Sequence, residues 1–334
     1  MTVNLNKLIK KLRAYSGVPA CRSLLTWIVC LAVWLPAAAA DYPQWPVKLM
    51  VQAGPNSTDW ATAQAIAQQL NSDLDFPIEP DDRSSKQADA VFAALAKARP
   101  AGQLLLLATA SQFLTGSDSG AQLLGVIETS PMVCAVNAMR KVTSMEAFIN
   151  GVKSDGNLRV ASAGKHSQSA LMAQISLRSA GLPVTTKLTA IAFNSPAAAV
   201  AAVLTGAADY ACAPFPVVRT LLAQKQLIAL VASSAMNDLK VVKPMPASPD
   251  LSLLDSWYGV AGPPRLDAIV IDRWQTWLTR LSRDPVYVDA GAGRGVRIGP
   301  EHLMLRAQAQ AEVKKRRAAI LALAEKYGFK QFDR

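Results

Sequence analysis

The chain has 334 residues, a formal net charge of +11, and 51% hydrophobic against 18% charged residues. That balance excludes a disordered tail, a collagen-like fibre and a disulfide-stapled mini-protein, and it leaves room for one large or two medium α/β domains with real cores. Two histidines and four cysteines leave little material for a metal site.

The first forty residues carry five cations, Lys7, Lys10, Lys11, Arg13 and Arg22, and no acidic residue. An apolar run from Leu24 to Leu35 follows, then Pro36 and the alanines 37–40. A basic start, a short apolar run and an Ala-x-Ala ending describe a secretory signal peptide over residues 1–40, cleaved to leave Asp41 as the first residue of a periplasmic protein. The run is short for a span of about 20 residues. Removing the five cations takes the net charge from +11 to +6. The basic blocks with interleaved aromatics that nucleic acids require are lacking, and Lys314 to Arg317 reads as an exposed helix face. Cys134 and Cys212 remain in the mature chain, where both a disulfide and buried free thiols fit their apolar surroundings.

In chain order, Val47 to Ala53 reads as a strand. Asp59 to Leu70 reads as a helix with Ala63, Ile66, Ala67 and Leu70 on one face. Asp81 and Asp82 read as a solvated turn. A helix from Ala88 to Ala98 and a strand from Gln103 to Ala108 follow. Leu123 to Asn137 holds one or two strands, and Ser144 to Val152 a helix. The alternation restarts with the strand Leu158 to Ala161, the helix Ser169 to Ala180, the strand Leu188 to Phe193 and the helix Pro196 to Leu204. Strands near Ala208 to Cys212 and Leu227 to Ser233 complete it. Such alternation indicates parallel sheets built from βαβ units.

Beyond these, Val242 to Pro249 and Ala261 to Pro264 read as proline-punctuated loops. A helix from about Asp267 to Ser282 buries Trp274, Trp277, Leu278 and Leu281. Val286 to Asp289 reads as a possible strand leading into a flexible loop with Gly291, Gly293 and Gly295. A long helix runs from Pro300 to Tyr327, with Gly328 as its stop.

One junction type occurs three times. A strand gives way to Gly54-Pro55-Asn56-Ser57-Thr58-Asp59, to Ser162-Ala163-Gly164-Lys165-His166-Ser167, and to Asn194-Ser195-Pro196, and each leads into a helix. Each supplies small or hydroxyl residues for an N-cap, and each leaves helix amides and a positive dipole end at a sheet's carboxyl edge. Read singly, each junction is ordinary capping; together they suit a small anion held between two lobes.

The stretch Tyr42 to Leu70 (YPQWPVKLMVQAGPNSTDWATAQAIAQQL) resembles the start of the Bug/TctC-type extracytoplasmic solute receptors of tripartite tricarboxylate transporters. KARPAGQLLLL at 97–107, RVASAG at 159–164, LTGAAD at 204–209, LIALVAS at 227–233 and SWYGVAGPP at 256–264 match in order and spacing. The resemblance implies a two-lobed type II periplasmic-binding-protein fold with a ligand cleft between the lobes. Lobe 1 would cover 41–138, lobe 2 would cover 139–233, and 234–334 would return to lobe 1 with the C-terminal helices.

The implied ligand set is Asn56, Ser57, Thr58 and Asp59 from the first loop, Ser162, Gly164, His166 and Ser167 from the second, and Phe193, Asn194 and Ser195 from the third. Asn56 and Ser57 stand where the family has glycines, Ser84 to Gln87 replaces a glycine-rich stretch, and Phe193-Asn194-Ser195 replaces Tyr-Lys-Gly. Ala170 replaces a histidine, with Lys165 and His166 nearby to restore positive charge. A dicarboxylate is the default ligand, with an aromatic acid, an amide or no high-affinity ligand also open.

Enzyme readings lack a residue set. His166 beside Ser167 has no Gly-x-Ser-x-Gly elbow, Gly164-Lys165 lacks the phosphate-loop spacing, and Val296 stands where a dinucleotide fingerprint needs its last glycine. The expected protein is a monomer without catalytic residues, metal or other cofactor. It would capture a small carboxylate by closing about hinges near Asn137 to Lys141 and Ser233 to Asn237. Closure would set Ser57, Thr58 and Asp59 opposite Ser167 and Asn194, and the closed form would dock on membrane permease subunits. The alternative is a receptor-fold sensor or adaptor acting on a membrane signalling partner.

Overall fold

The computed structural model describes residues 41–327 apart from 87, 115–119, 156, 184 and 236–250. The expected signal peptide, the loop Val242 to Pro249, the Asn237 end of the second hinge and the Gly328 stop lie outside the described residues.

Two mixed sheets carry the chain. The first comprises β1 (Val47–Val51), β2 (Ile78–Asp82), β3 (Leu104–Thr109), β4 (Gln122–Ser130), β10 (Ser256–Gly262) and β11 (Met304–Leu305), in the order β11-β4-β10-β3-β1-β2. The second comprises β5 (Met132–Asn137), β6 (Asn157–Ser162), β7 (Lys187–Ala192), β8 (Tyr210–Pro214) and β9 (Leu227–Ala232), in the order β7-β6-β8-β5-β9. The expected βαβ units supply the parallel pairs β1–β2, β1–β3, β6–β7 and β6–β8. Antiparallel pairs were not expected, and they come from the strands that cross between sheets or return: β10 lies between β3 and β4, and β5 lies between β8 and β9.

Leu123 to Asn137 thus holds two strands in different sheets. Pro131, which donates no backbone hydrogen bond, separates them and marks the crossing. The chain thus changes sheet at Pro131, seven residues before the expected lobe boundary at 138, and the segment Asn137 to Lys141, expected as a hinge, begins with a short 3-10 turn at the end of β5. Asn137 Nδ2 there donates to the carbonyls of Val203 (3.2 Å) and Leu204 (2.9 Å). The return crossing begins at Ser233, whose Oγ accepts from Met132 N (2.8 Å) and donates to Asp255. Arg297 Nη2 donates to the same carboxylate (2.6 Å).

Helices cover both sheets. α1 (Thr58–Asn71) buries Thr62, Ala63, Ile66, Ala67 and Leu70. α2 (Ala88–Ala96), a short α3 (Ala110–Leu114) and α4 (Met145–Asp155) follow. α5 (Gln168–Ser179), α6 (Pro196–Leu204) and α7 (Phe215–Ala223) belong to the second lobe. α8 (Ala268–Leu281) buries Trp274, Trp277, Leu278 and Leu281 as its periodicity predicts, with Trp274 Nε1 donating to Tyr42 Oη (3.2 Å).

Three readings need correction. Asp81 and Asp82 end a parallel edge strand rather than a turn; Asp81 pairs with Arg83, and Asp82 accepts from Ser84 N (2.7 Å). The possible strand at Val286 to Asp289 and its glycine loop form α9 (Pro285–Arg294), because Asp284 caps the amides of Val286 (2.9 Å) and Tyr287 (3.1 Å) and Pro285 suits the first helical position. The last helix, α10 (Arg306–Lys326), starts six residues later than Pro300, because Met304 and Leu305 pair with β4 first. It packs on β4, α3 and α5, so one helix touches both lobes.

Cys134 of β5 and Cys212 of β8 lie directly opposite each other and form a buried disulfide. The sequence alone left that pairing open.

Candidate functional site

Helices that follow parallel strands begin at the strands' carboxyl ends, and here they begin at a cleft between the two sheets. Its volume is ≈ 450 Å³, within the ~300–1,000 Å³ common for small-molecule sites. One wall belongs to the first sheet: Val51 and Gln52 at the end of β1, Asp59 of α1, Leu107 and Thr109 of β3, Ser111 and Gln112 of α3, and Ser256 and Tyr258 of β10. The other belongs to the second: Met132, residues 163–169, Asn194, Pro196 and Pro214.

The second loop has a clear local cause. Gly164 sits at φ +104°, which L side chains rarely adopt, and this bends the chain so that Ser167 can cap α5. Ser167 Oγ accepts from Ala170 N (3.2 Å), donates to Gly164 O (2.8 Å) and meets Ser169 Oγ (2.9 Å). Ser162 Oγ donates to Gly164 O (3.0 Å), and Ala163 N donates to Ser169 Oγ (3.1 Å). The loop's hydroxyls are therefore spent on holding its shape. Among the described residues the amides of Gly164 and Lys165 have no acceptor, and exposed Lys165 is the only lysine or arginine lining the cleft, with the exposed His166 imidazole beside it. Loop amides without an acceptor, just ahead of a helix N-terminus and beside a lysine ammonium, are chemically suited to an anion.

The opposite wall carries one charge, the half-buried Asp59. Its Oδ1 accepts from Tyr258 Oη (2.9 Å) and from Thr58 Oγ1 (3.4 Å). Burial holds the Asp59 carboxyl above the usual carboxylate range, against the lowering effect of those two hydroxyls. Burial, then the Asp59 charge, push the Tyr258 phenol up as well, so it stays protonated and donates.

Of the expected ligand set, the structure brings Asp59, Gly164, His166, Ser167 and Asn194 together around the cleft. Six others serve elsewhere. Ser57 caps α1 through Trp60 N (3.1 Å), and Ser195 caps α6 through Ala198 N (3.2 Å). Thr58 lines a different cavity, Ser162 is bonded within its own loop, Phe193 packs on the second lobe's core, and exposed Asn56 lies outside the lining.

Sequence reasoning passed over Gln52, Thr109, Gln112 and Tyr258. Thr109-Ala110-Ser111-Gln112 is a capping box, a signal legible in the sequence: Thr109 N donates to Gln112 Oε1 (2.9 Å), and Gln112 N to Thr109 Oγ1 (3.4 Å). Gln112 Nε2 then donates to Gln52 Oε1 (2.9 Å). Tyr258 had no local signal; a register shift between Tyr258 and Gly259 in the pairing with β4 is a tertiary feature. Among the described residues no group of three or more His, Cys, Asp or Glu could hold a metal ion.

Two lobes joined by crossing segments, with a cleft at the strands' carboxyl ends, define the fold of a periplasmic binding protein. Solved structures make the class narrower. The chain superposes on an R. palustris protein solved with adipate (TM-score 0.75, 18% identity, 86% of this chain and 99% of that one). It also superposes on the periplasmic binding protein BugD (TM-score 0.73, 19% identity, 86% and 99%) and on MatC of Rhodopseudomonas palustris with bound malate (0.69, 17%, 84% and 100%). In sequence, a UPF0065 protein of Bordetella bronchiseptica is 26% identical over 185 residues, 52% of this chain and 54% of that one, so the chain spans about half the length of this curated relative. No family model matches the chain. The chain has the two-lobed fold of the Bug/TctC-type periplasmic binding proteins, and the sequence resemblance to those receptors agrees with both comparisons.

Proposed function

We propose that the protein is an extracytoplasmic solute-binding protein that captures a small carboxylate-type ligand by lobe closure and delivers it to a tripartite tricarboxylate-type membrane transporter. The observation that carries this reading is the second-lobe wall, where the amides of Gly164 and Lys165 without acceptors, the Lys165 ammonium and the His166 imidazole line the cleft opposite the first-lobe wall. Structural neighbours with adipate and malate support a carboxylate as the class. The role is binding rather than catalysis, in the periplasm, by a monomer that docks on permease subunits in its closed form.

Closure proceeds by bending at the crossings between the lobes, at Pro131 and at Ser233 to Ala235. A ligand that touches both walls stabilises the closed state by its differential contacts there. Asp59 repels a carboxylate when ionised, so the ligand's anionic end belongs on the second-lobe wall. On the first-lobe wall Asp59 accepts a hydrogen bond from the ligand or from an ordered water.

The test is a thermal-shift screen of residues 41–334 against di- and tricarboxylates, aromatic acids, acidic amino acids and nicotinamide-type compounds. A ligand at about 100 times its Kd stabilises the fold by about 2.7 kcal/mol. A selective carboxylate hit supports the receptor reading. Silence across the panel from folded protein overturns it and favours a sensor or adaptor that keeps the fold.

A further inference from the structure

Both crossings between the lobes are held by one carboxylate. Asp255 is buried just ahead of β10 in the first lobe. Its Oδ1 accepts from Ser233 Oγ, and its Oδ2 accepts from Ser234 Oγ (2.7 Å) and Arg297 Nη2 (2.6 Å). Ser233 in turn accepts from Met132 N (2.8 Å) and donates its own amide to Met132 O (2.9 Å), so the second crossing is bonded to the first. Arg297 completes the ring through its backbone, which pairs with Thr129 in both directions (2.7 and 3.0 Å). The ligand cleft adjoins this cluster: buried Gln168 follows Ser167, lines the cleft, and its Nε2 donates to the carbonyls of Leu254 (2.8 Å) and Asp255 (3.2 Å).

Against these bonds stand three buried polar atoms without a hydrogen-bond partner among the described residues: Thr129 Oγ1, Ser130 Oγ and Arg297 Nε. Two of them immediately precede Pro131, and the third belongs to the residue paired with Thr129. Buried polar groups are nearly always paired in native proteins, so three orphans at one crossing are a cost of this arrangement. Bending at Pro131 would open them to water or to new partners at the expense of the bonds to Asp255. Opposed sets of this kind make a hinge two-state.

We propose that Asp255, paired with Arg297, is the positioning residue of the hinge: its bonds hold the lobes in the arrangement where both walls line one cleft, and their loss releases the lobes to bend. The inference rests on the proposed function in taking the lobes to move, and it adds which contact governs that motion. Asp255 is absent from the cleft lining, so it acts through the crossings. Apparent affinity for any ligand that needs both walls scales with the fraction of chains in the held arrangement.

Spin labels at Gln68→Cys of α1 and Ala201→Cys of α6, both exposed positions, report the lobe-to-lobe distance in ligand-free residues 41–334 by pulsed electron resonance. Cys134 and Cys212 are bridged and take no label. With the hinge intact, one narrow distance is expected. Asp255→Asn, which removes the charge facing Arg297, should add a second distance and lower the ratio of held to released chains by about tenfold. Arg297→Gln should do the same, and the double variant should be no broader than either single one, because both break one contact. Asp209→Asn is the control: it weakens ion pairs inside the second lobe and should lower Tm while leaving the distances unchanged. Distances in Asp255→Asn that superpose on those of the intact hinge overturn the proposal, whatever the Tm, as does equal broadening in Asp209→Asn. If Asp255→Asn does not fold, Ser234→Ala deletes a single half-buried donor; it should broaden the distances in the same sense, and an unchanged distribution there refutes the proposal. No ligand enters the measurement, so a silent carboxylate screen overturns the proposed function and leaves this result standing, and the reverse also holds.

Discussion

The disulfide between β5 and β8 offers the prediction with the most direct arithmetic. Cys134 and Cys212 are separated by 78 residues, and that segment contains most of the second lobe. Closing a loop of this length removes about 15 cal/mol/K of entropy from the unfolded chain, or about 4.5 kcal/mol at 25 °C. The double substitution Cys134→Ala, Cys212→Ala should therefore lower unfolding stability by about 3–5 kcal/mol, with the lower end allowing for residual structure in the unfolded state. Urea denaturation of the purified mature chain, with and without the substitutions and with and without reductant, measures it. The bridged protein should show a higher midpoint and a smaller m-value, since a crosslinked unfolded state exposes less surface. A loss below about 1 kcal/mol with an unchanged m-value would show that the unfolded chain gains little freedom when the bridge is absent, and would refute the reasoning.

Other outcomes follow from the site and the core. Asp59→Asn should stabilise the ligand-free protein at pH 7: a carboxyl whose folded pKa is raised contributes stability that is fully present below the unfolded pKa of about 3.9 and is lost as pH rises through the folded value, so the difference between variant and wild type should shrink as pH falls from that raised value toward about 3.9 and level off below it. A variant that is less stable at neutral pH would contradict this. Asp209 behaves oppositely. Burial pushes it up, but hydrogen bonds from the Arg159 side chain and backbone, with the charges of Arg140 and Arg159, bring it below the ordinary range. Its stabilisation is present above the unfolded pKa of about 3.9 and is lost as pH falls through the folded value, so Asp209→Asn should lower Tm at pH 7 and progressively less as pH falls below about 3.9, as differential scanning fluorimetry can follow. Gly259→Ala should cost roughly 3 kcal/mol or more, because a Cβ there would meet the carbonyl oxygen of Gly125 at 2.1 Å; chemical denaturation would expose the error if the change proved neutral. Ser167→Ala and Asn194→Ala should each weaken ligand binding by calorimetry, while Lys314→Ala leaves it unchanged, and equal effects would remove Ser167 and Asn194 from the site.

Much of the local structure was legible in the sequence because its causes are local. The helix over Thr58 to Asn71 follows from a serine cap and the spacing of Ala63, Ile66, Ala67 and Leu70. The start of α5 follows from Gly164 and Ser167, and the start of α6 from Ser195 and Pro196. Even the overlooked α3 and α9 carry local signals: the capping box Thr109 to Gln112, and Asp284 with Pro285. The order of the matching segments also identified the two-lobed fold, since that order fixes which strand precedes which helix.

The tertiary structure decided what depends on residues distant in sequence. Whether Leu123 to Asn137 stays in one sheet depends on which neighbours β4 and β5 find, and β4 finds β10 and β11 more than a hundred residues later. The same holds for the bridge between Cys134 and Cys212, since two apolar strands reveal their cysteines as partners only once β5 and β8 pair in register. The cleft is the clearest case. Asn56 to Asp59 look alike in sequence as polar residues at a helix start, yet only Asp59 reaches the cleft, while Ser57 turns to its cap and Thr58 to the neighbouring cavity. Successive residues on a helix point about 100° apart, so which one meets a ligand is set by how α1 is rotated against β10, and the hydroxyl of Tyr258 from that strand is what marks the answer.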